Sequence, residues 1–342
     1  MTSHSQKDLA SLKKLFALHN QNIVILGHTH PDGDAVGAGL ALQEFLQQKG
    51  HKVSFILPDP YPDFLSWMPL SDGIFIHTKQ QEKCEKLIKL SDLIIFVDMN
   101  SPSRLESFEK AVTEQMLSKT SILLDHHINP DSVFTFKYWD TEVSSTSELV
   151  YELIGKLGES HLINKTMAEN LYAGIITDTG SFSYSCNNPA TYIAVSRLIE
   201  IGVDGAWVHQ QIYNTFTEDR LRLLGHSLSE KLKVLKKYGG AYIALNQYDL
   251  VKYKYNVGDT EGLVNYTLSI KGIHFGALLT QYEQYIKISL RSEGDIDVNY
   301  FARRYFNGGG HKNAAGAYYY GPLDEACKVI ESIIRKHIKL EK

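Results

Sequence analysis

The sequence predicts an α/β protein: an N-terminal doubly wound, mostly parallel sheet, joined by a helical connector to a smaller C-terminal α/β domain. Three observations carry that expectation. Continuous apolar runs such as Ile23–Leu26 and Leu93–Val97 alternate with helical segments, as strands buried on both faces of a parallel sheet do. The first run, a turn-rich polar loop, a small-residue helix and the run Val53–Leu57 together make a βαβ unit. The character of the chain then changes twice, to helix-rich near residue 190 and to strand- and tyrosine-rich after Gly239-Gly240. A chain of 342 residues is also long for one domain. The expected boundaries are 1–190, 191–234 for the connector, and 235–342.

Taken in order, residues 6–19 read as an amphipathic helix covering the first strand. The loop after that strand carries His28, Asp32 and Asp34 around Pro31 and Gly33, and a helix runs from Ala35 to Gly50. Residues 58–70 hold four of the nine prolines and read as loop. A charged helix over 80–90 precedes the strand Leu93–Val97, which ends in Asp98 with Arg104 in the next loop. A helix over about 105–118 leads to Ser121–Leu124, which ends in Asp125-His126-His127. Residues 143–157 look helical, with Ser144-Ser145-Thr146 as an N-cap cluster. Residues 166–177 are a helix or a strand and end in Asp178-Thr179-Gly180. Residues 189–234 read as helices. Beyond them, strands around 241–247, 274–283, 285–292 and 315–321 alternate with helices around 260–271, 296–306 and 323–338.

Bulk properties remove several function classes. A hydrophobic fraction of 43% with 22% charged residues is ordinary for a soluble globular protein. A net charge of -4 argues against coating long nucleic acid by bulk electrostatics. No apolar stretch approaches the ~20 residues of a membrane span, and the N-terminus shows no apolar signal region. Cys84, Cys186 and Cys327 are isolated and form no CxxC pair, which suggests free thiols in a reducing cytoplasm.

Parallel strands point their carboxyl ends to one edge of a sheet. Asp32, Asp34, Asp98, Asp125, Asp178, His28, His126 and His127 are therefore expected to converge. Each motif alone has a plain structural reading. His28-x-x-Pro-Asp-Gly-Asp34 could be an Asx-turn with Asp34 as helix N-cap, and Asp98 or Asp178 an ordinary turn residue. Together, on four successive strand ends, those readings fail. Like charges about 4 Å apart repel by several kcal/mol even at an effective dielectric near 20, so a cation is needed. Mixed carboxylate and imidazole ligands suit Mn²⁺, Mg²⁺, Fe²⁺ or Co²⁺ better than structural zinc. This many ligands suggests two divalent ions, the arrangement that hydrolyses phosphate esters by activating a bridging hydroxide.

These motifs resemble a known family. His28-x-x-Pro31-Asp32-Gly33-Asp34-Ala35, Asp98, Asp125-His126-His127 and Asp178-Thr179-Gly180 are similar to the four motifs of the DHH phosphoesterase superfamily. The run Gly308-Gly309-Gly310-His311-Lys312-Asn313-Ala314-Ala315-Gly316 resembles the glycine-rich signature of its DHHA1 domain. Length and plan look most like the nanoRNase branch of oligoribonucleases and pAp phosphatases. The resemblance implies that His28, Asp32 and Asp98 hold one metal, and Asp34, Asp98, His126 and Asp178 the other, with Asp98 bridging. It implies Mn²⁺ as the ion, His127 facing the scissile phosphate, and Asp125 behind the ligands fixing a histidine tautomer.

The second domain reads as the substrate reader. Gly308, Gly309 and Gly310 could form a backbone nest for an anion, with His311 as a further donor. Strand alternation puts Lys287, Ser289 and Arg291 on one face, and Arg291 with Ser292 beside the glycine run would clamp a phosphate or stack on a base. Arg104 is a further candidate for phosphate contact. The expected partners are short single-stranded oligonucleotides or small nucleotides, with no membrane and a homodimer as one assembly the sequence permits. The expected reaction is hydrolysis of short oligonucleotides to 5′-mononucleotides, with pAp 3′-phosphatase activity beside it. A cyclic dinucleotide or its linear product pApA is the rival substrate, and a non-catalytic nucleotide sensor the rival of another class.

Overall fold

Six strands of the N-terminal half form one wholly parallel sheet. They are β1 (Asn22–Leu26), β2 (Lys52–Leu57), β3 (Phe75–Ile76), β4 (Leu93–Val97), β5 (Thr120–Asp125) and β6 (Phe136–Trp139), in the order β3-β2-β1-β4-β5-β6. The structure is a computed structural model that describes residues 3–338. The chain divides between Thr215 and Phe216 into two compact units. The helices of the first are α1 (Ser3–Phe16), α2 (Gly33–Gln48), α3 (Gln81–Leu90), α4 (Glu109–Met116), α5 (Thr146–Lys156), α6 (Lys165–Asp178), α7 (Pro189–Ile201) and α8 (Gly205–Tyr213).

The strands read as unbroken apolar runs because both faces are buried. Ile23, Ile25, Ile95 and Val97 pack with Leu40 of α2, Leu149 of α5 and Leu171 of α6. Their neighbours Val24, Leu26, Ile94 and Phe96 pack on the other face with Ile88 of α3 and Val112 of α4. Since β1 lies between β2 and β4, the chain reverses its direction of sheet growth there. The crevice at the carboxyl ends of β1 and β4 is the switch point where open α/β sheets place ligands.

Three local expectations are corrected. Residues 166–177 are helix, α6, so Asp178 ends a helix and not a strand. Small residues explain the ambiguity: α6 packs closely on α2, and a Cβ on Gly37 would stand 2.4 Å from the Asn170 carbonyl oxygen. The N-cap of α2 is Asp32, two residues before the expected Asp34, and it accepts hydrogen bonds from the Asp34 and Ala35 amides at 3.0 and 3.1 Å. The helix expected over 105–118 is split into a 3-10 segment, Pro102–Phe108, and α4.

The second unit contains α9 (Glu218–His226), β7 (Leu232–Leu235), β8 (Gly240–Leu245), α10 (Gln247–Lys252), α11 (Asn265–Leu268), β9 (Phe275–Gln281), β10 (Ile286–Ser292), α12 (Val298–Tyr305), β11 (Asn307–Gly310), β12 (Ala314–Tyr319) and α13 (Leu323–His337). Its sheet runs β11-β12-β10-β9-β8-β7 and is antiparallel except for β8 beside β9. Leu232–Leu235, read from sequence as helical, is the edge strand β7, and only four residues of the helix expected over 260–271 form α11. Ile288 and Leu290 bury one face of the sheet against Phe301 of α12 and Ile330 and Ile334 of α13. No helix among the described residues is long and apolar enough to cross a membrane.

Candidate metal centre

Four segment ends of the first unit bring six of the expected ligands together. His28, Asp32 and Asp34 follow β1, Asp98 follows β4, His126 follows β5, and Asp178 closes α6. Ligand atoms of His28, Asp32 and Asp98 lie within 4.8 Å of one another, as do those of Asp34, His126 and Asp178. Asp98 joins the two groups. Its Oδ2 is 3.3 Å from His28 Nε2, and its Oδ1 is 3.6 Å from His126 Nε2. The His126 Nε2 also lies 3.4 Å from Asp178 Oδ2 and 4.0 Å from Asp34 Oδ2. Asp98 adopts a left-handed backbone (φ 57) that aims its carboxylate into the cluster; aspartate tolerates this better than most residues.

Tautomers follow from the hydrogen bonds. His28 Nδ1–H donates to the Thr29 carbonyl at 2.7 Å, which leaves the Nε2 lone pair directed at Asp98. His127 Nδ1–H donates to Asp125 Oδ1 at 2.8 Å, and Asp125 is fully buried, so that ring is held in one orientation. The Arg104 carbonyl accepts from the Thr29 amide at 2.9 Å, which ties the loop after β4 to the loop after β1.

The start of α5 supplies a support that the ligand motifs do not reveal. Asp34 is 1% exposed, and both its oxygens accept from this helix: the Thr146 amide at 2.6 Å and the Ser147 amide at 2.8 Å. The Thr146 hydroxyl donates to Asp98 Oδ1 at 3.0 Å. Glu148, fully buried, accepts from the Ser144 amide, the Ser144 hydroxyl and the Thr191 hydroxyl, and so anchors the turn. The Ser-Ser-Thr-Ser run is the sequence signal for such a helix start, and helix N-termini favour carboxylates. Thr146→Val should weaken Mn²⁺ binding about 10- to 100-fold by calorimetry, with Thr146→Ser recovering most of it. Unchanged Mn²⁺ affinity in the Val variant would show that the hydroxyl does not orient Asp98.

Electrostatics indicate that the donor set fits a cation. Burial, together with the charges of Asp34, Asp32, Asp178 and Asp125, pushes the Asp98 carboxyl well above the usual range. Burial likewise raises Asp34. His126 is raised: burial opposes protonation, but Asp178, Asp34 and Asp125 outweigh it. His28 is pushed down to about 4 by burial and by the nearby Arg104 charge, so its ring is neutral at ordinary pH. Carboxylates that resist ionising together, beside a neutral His28 and a His126 drawn toward protonation, are what a divalent ion would relieve.

In the second unit, the expected alternation is observed: Ile286, Ile288 and Leu290 are buried, while Lys287, Ser289 and Arg291 are half-buried. Gly308, Gly309 and Gly310 do not form a nest. They lie in the edge strand β11, paired with Ala317, Gly316 and Ala315. The edge amide of Gly310 is taken by the Asn299 side chain at 3.0 Å. His311 N–H donates to the Ala314 carbonyl at 2.7 Å across a two-residue turn. Ala314 pairs with Arg291, so His311, Ala314 and Arg291 stand in one cross-strand row. The Ser292 hydroxyl donates to the Ile296 carbonyl at 2.6 Å and accepts from Asn313 at 2.9 Å, holding the strand end.

Comparison with known proteins agrees with this arrangement. The chain matches the DHH family, N-terminal domain, over residues 22–175 and the DHHA1 domain over residues 239–336. It is 28% identical over 321 residues to the bifunctional oligoribonuclease and PAP phosphatase NrnA of Bacillus subtilis, covering 92% of this chain and 95% of that one. It is 27% identical to the protein of the same description from Thermus thermophilus, over 92% and 90%. The crystal structure of an exopolyphosphatase-related protein from Bacteroides fragilis superposes with a TM-score of 0.91 at 40% identity, over 98% of each chain. The chain is a phosphoester hydrolase and belongs to the DHH/DHHA1 phosphoesterase superfamily.

Proposed function

We propose that this protein hydrolyses short oligonucleotides to 5′-mononucleotides and removes the 3′-phosphate of pAp, with two divalent ions, Mn²⁺ foremost. The observation that carries the reading is Asp98, whose two oxygens face different ligand groups, as a bridging carboxylate does. His28, Asp32 and Asp98 would hold one ion; Asp34, Asp98, His126 and Asp178 the other. When bound, such ions polarise the phosphoryl oxygens and lower the pKa of an attacking water. The chain's own groups do the rest. Asp125 orients His127, which exchanges a proton with the leaving oxygen. Arg104, whose charge is felt at His28, offsets phosphate charge. Arg291 and His311, in one row of the second sheet, take a terminal phosphate or base.

Charge distribution supports a nucleotide reader in the second unit. Residues 216–342 hold 19 Lys and Arg against 14 Asp and Glu, whereas residues 1–215 hold 16 against 25. The local excess of cations favours phosphate-rich ligands although the whole chain is acidic. The NrnA-type relatives, which span nearly the full chain, support the same substrate class. The test is a ranking of kcat/KM in Mn²⁺ over pAp, pApA, c-di-AMP, pyrophosphate and RNA from dinucleotide to about 24 nucleotides. The shortest RNAs and pAp should lead. A lead of about tenfold for pyrophosphate or c-di-AMP would overturn the assignment, and no turnover of any of them would point to a nucleotide sensor.

A further inference from the structure

The second sheet covers its two faces unequally. One face is buried throughout beneath α12 and α13. On the other, Ile243, Leu245 and Leu278 of β8 and β9 are buried beneath Leu223, Leu250 and Val264. Of that cover α11 also reaches β10, whose Lys287, Ser289 and Arg291 are half-buried, while Gly316 of β12 is exposed. Leu278 pairs with Ser289, so Ser289 lies on the same face, with Lys287 and Arg291 in alternation. Register places Tyr318 beside Lys287, Gly316 beside Ser289 and Ala314 beside Arg291. The result is a shelf of three rows, each about 7 Å from the next.

One feature of this shelf has no structural explanation within the unit, and a second holds an aromatic ring in place. Gly316 is exposed, and a Cβ built there meets no heavy atom within 4 Å. Its φ is not left-handed either, so neither packing nor backbone conformation requires glycine. A strand glycine without such a reason is suited to the close approach of a ligand. Further along, Tyr318 packs edge-on against Tyr285, with ring centroids 5.2 Å apart, and Tyr285 lies 5.1 Å from Tyr282. The Tyr282 and Tyr255 hydroxyls are 2.7 Å apart. A half-buried tyrosine held in such a chain is a pre-set ring, and a lysine lies directly across from it.

We propose that Lys287, Tyr318 and the Gly316 floor form a second nucleotide station, one row or more beyond the Arg291 end. Here the base of a further nucleotide stacks on Tyr318 while Lys287 pairs with its phosphate. The station would select oligonucleotides over ligands the size of pAp, and it rests on the oligonucleotide reading above. Cations along one strand with an aromatic on the next suit single-stranded nucleic acid, because every base offers a stacking face.

The test compares kcat/KM for an RNA pentamer and for pAp in wild type, Tyr318→Ala, Tyr318→Phe and Gly316→Val. In Tyr318→Ala the pentamer-to-pAp ratio should fall about tenfold, mainly through KM, and Tyr318→Phe should restore it. Gly316→Val, which adds its side chain to open space, should lower the ratio in the same direction with an unchanged Tm. A ratio unaltered in both Tyr318→Ala and Gly316→Val, or an equal loss on both substrates, overturns the station. Fluorescence anisotropy of a labelled RNA pentamer in EDTA separates this from the catalytic reading. If wild type cleaves neither substrate, a pentamer Kd about tenfold weaker in Tyr318→Ala still supports the station, and an unchanged Kd still rejects it.

Discussion

Asp98→Asn should lower kcat for phosphoester hydrolysis by at least about 10³-fold, because metal stabilisation of developing charge is worth several kcal/mol. The same change should not destabilise the metal-free protein. Asp98 is 2% exposed, and burial and four neighbouring carboxylates raise its pKa well above the usual range. A raised folded pKa contributes stability below the unfolded pKa, and that stability is lost as pH rises through the folded value. Near neutrality the carboxylate is therefore a burden without its cation, and an amide of the same shape removes the charge while keeping an acceptor for the Thr146 hydroxyl. The expected set is lost turnover, fewer than two Mn²⁺ bound per chain by calorimetry, and a Tm in EDTA equal to or above wild type. Turnover within tenfold of wild type would remove Asp98 from the proposed bridging role. A large drop of Tm in EDTA would instead make it a structural residue.

Most of the candidate cluster was legible because its residues sit where the chain must leave a buried sheet. Strands such as β4 and β5 are apolar to their last residues, so a charged residue at the end stands out. Asp178 was placed correctly in the cluster on an incomplete argument. It arrives at the end of a helix whose small residues, Gly174 among them, serve close approach to Ser147 of α5 and to α2 and not helical amphipathicity. The residues that hold the ligands were harder to see. Thr146 and Ser147 act over more than a hundred residues of separation from Asp34 through backbone amides, which carry no side-chain signature. In the second unit, strand alternation fixed the face of Arg291, but the glycine run looked like a loop because β-propensity argues against glycine in strands. The short Leu-Lys-Val-Leu of β7 was absorbed into neighbouring helices for lack of a turn residue before it.

Chelation should abolish activity, and the stabilisation that Mn²⁺ restores should grow from mildly acid to neutral pH. In the metal-free state, burial and neighbouring charge raise both Asp98 and Asp34, and His126 is raised by Asp178 and Asp34 against its burial. All three shifts have the same sign: their stabilising contribution is present at low pH and is lost as pH rises through the folded pKa values. Binding a cation reverses the preference, since the ligands must be deprotonated to coordinate. His28, held down to about 4, is already neutral above that pH and adds no proton to the release. Metal affinity therefore rises with pH, and so does the gain in stability, which follows RT ln(1 + [Mn²⁺]/Kd). The measurement is the difference in Tm between Mn²⁺ and EDTA at several pH values, with proton release recorded in weak buffer. Each ion bound should release protons, fewer as pH rises. A difference that is flat or shrinks with rising pH would mean that the carboxylates are already ionised without metal, compensated by a cationic group of the protein such as Arg104.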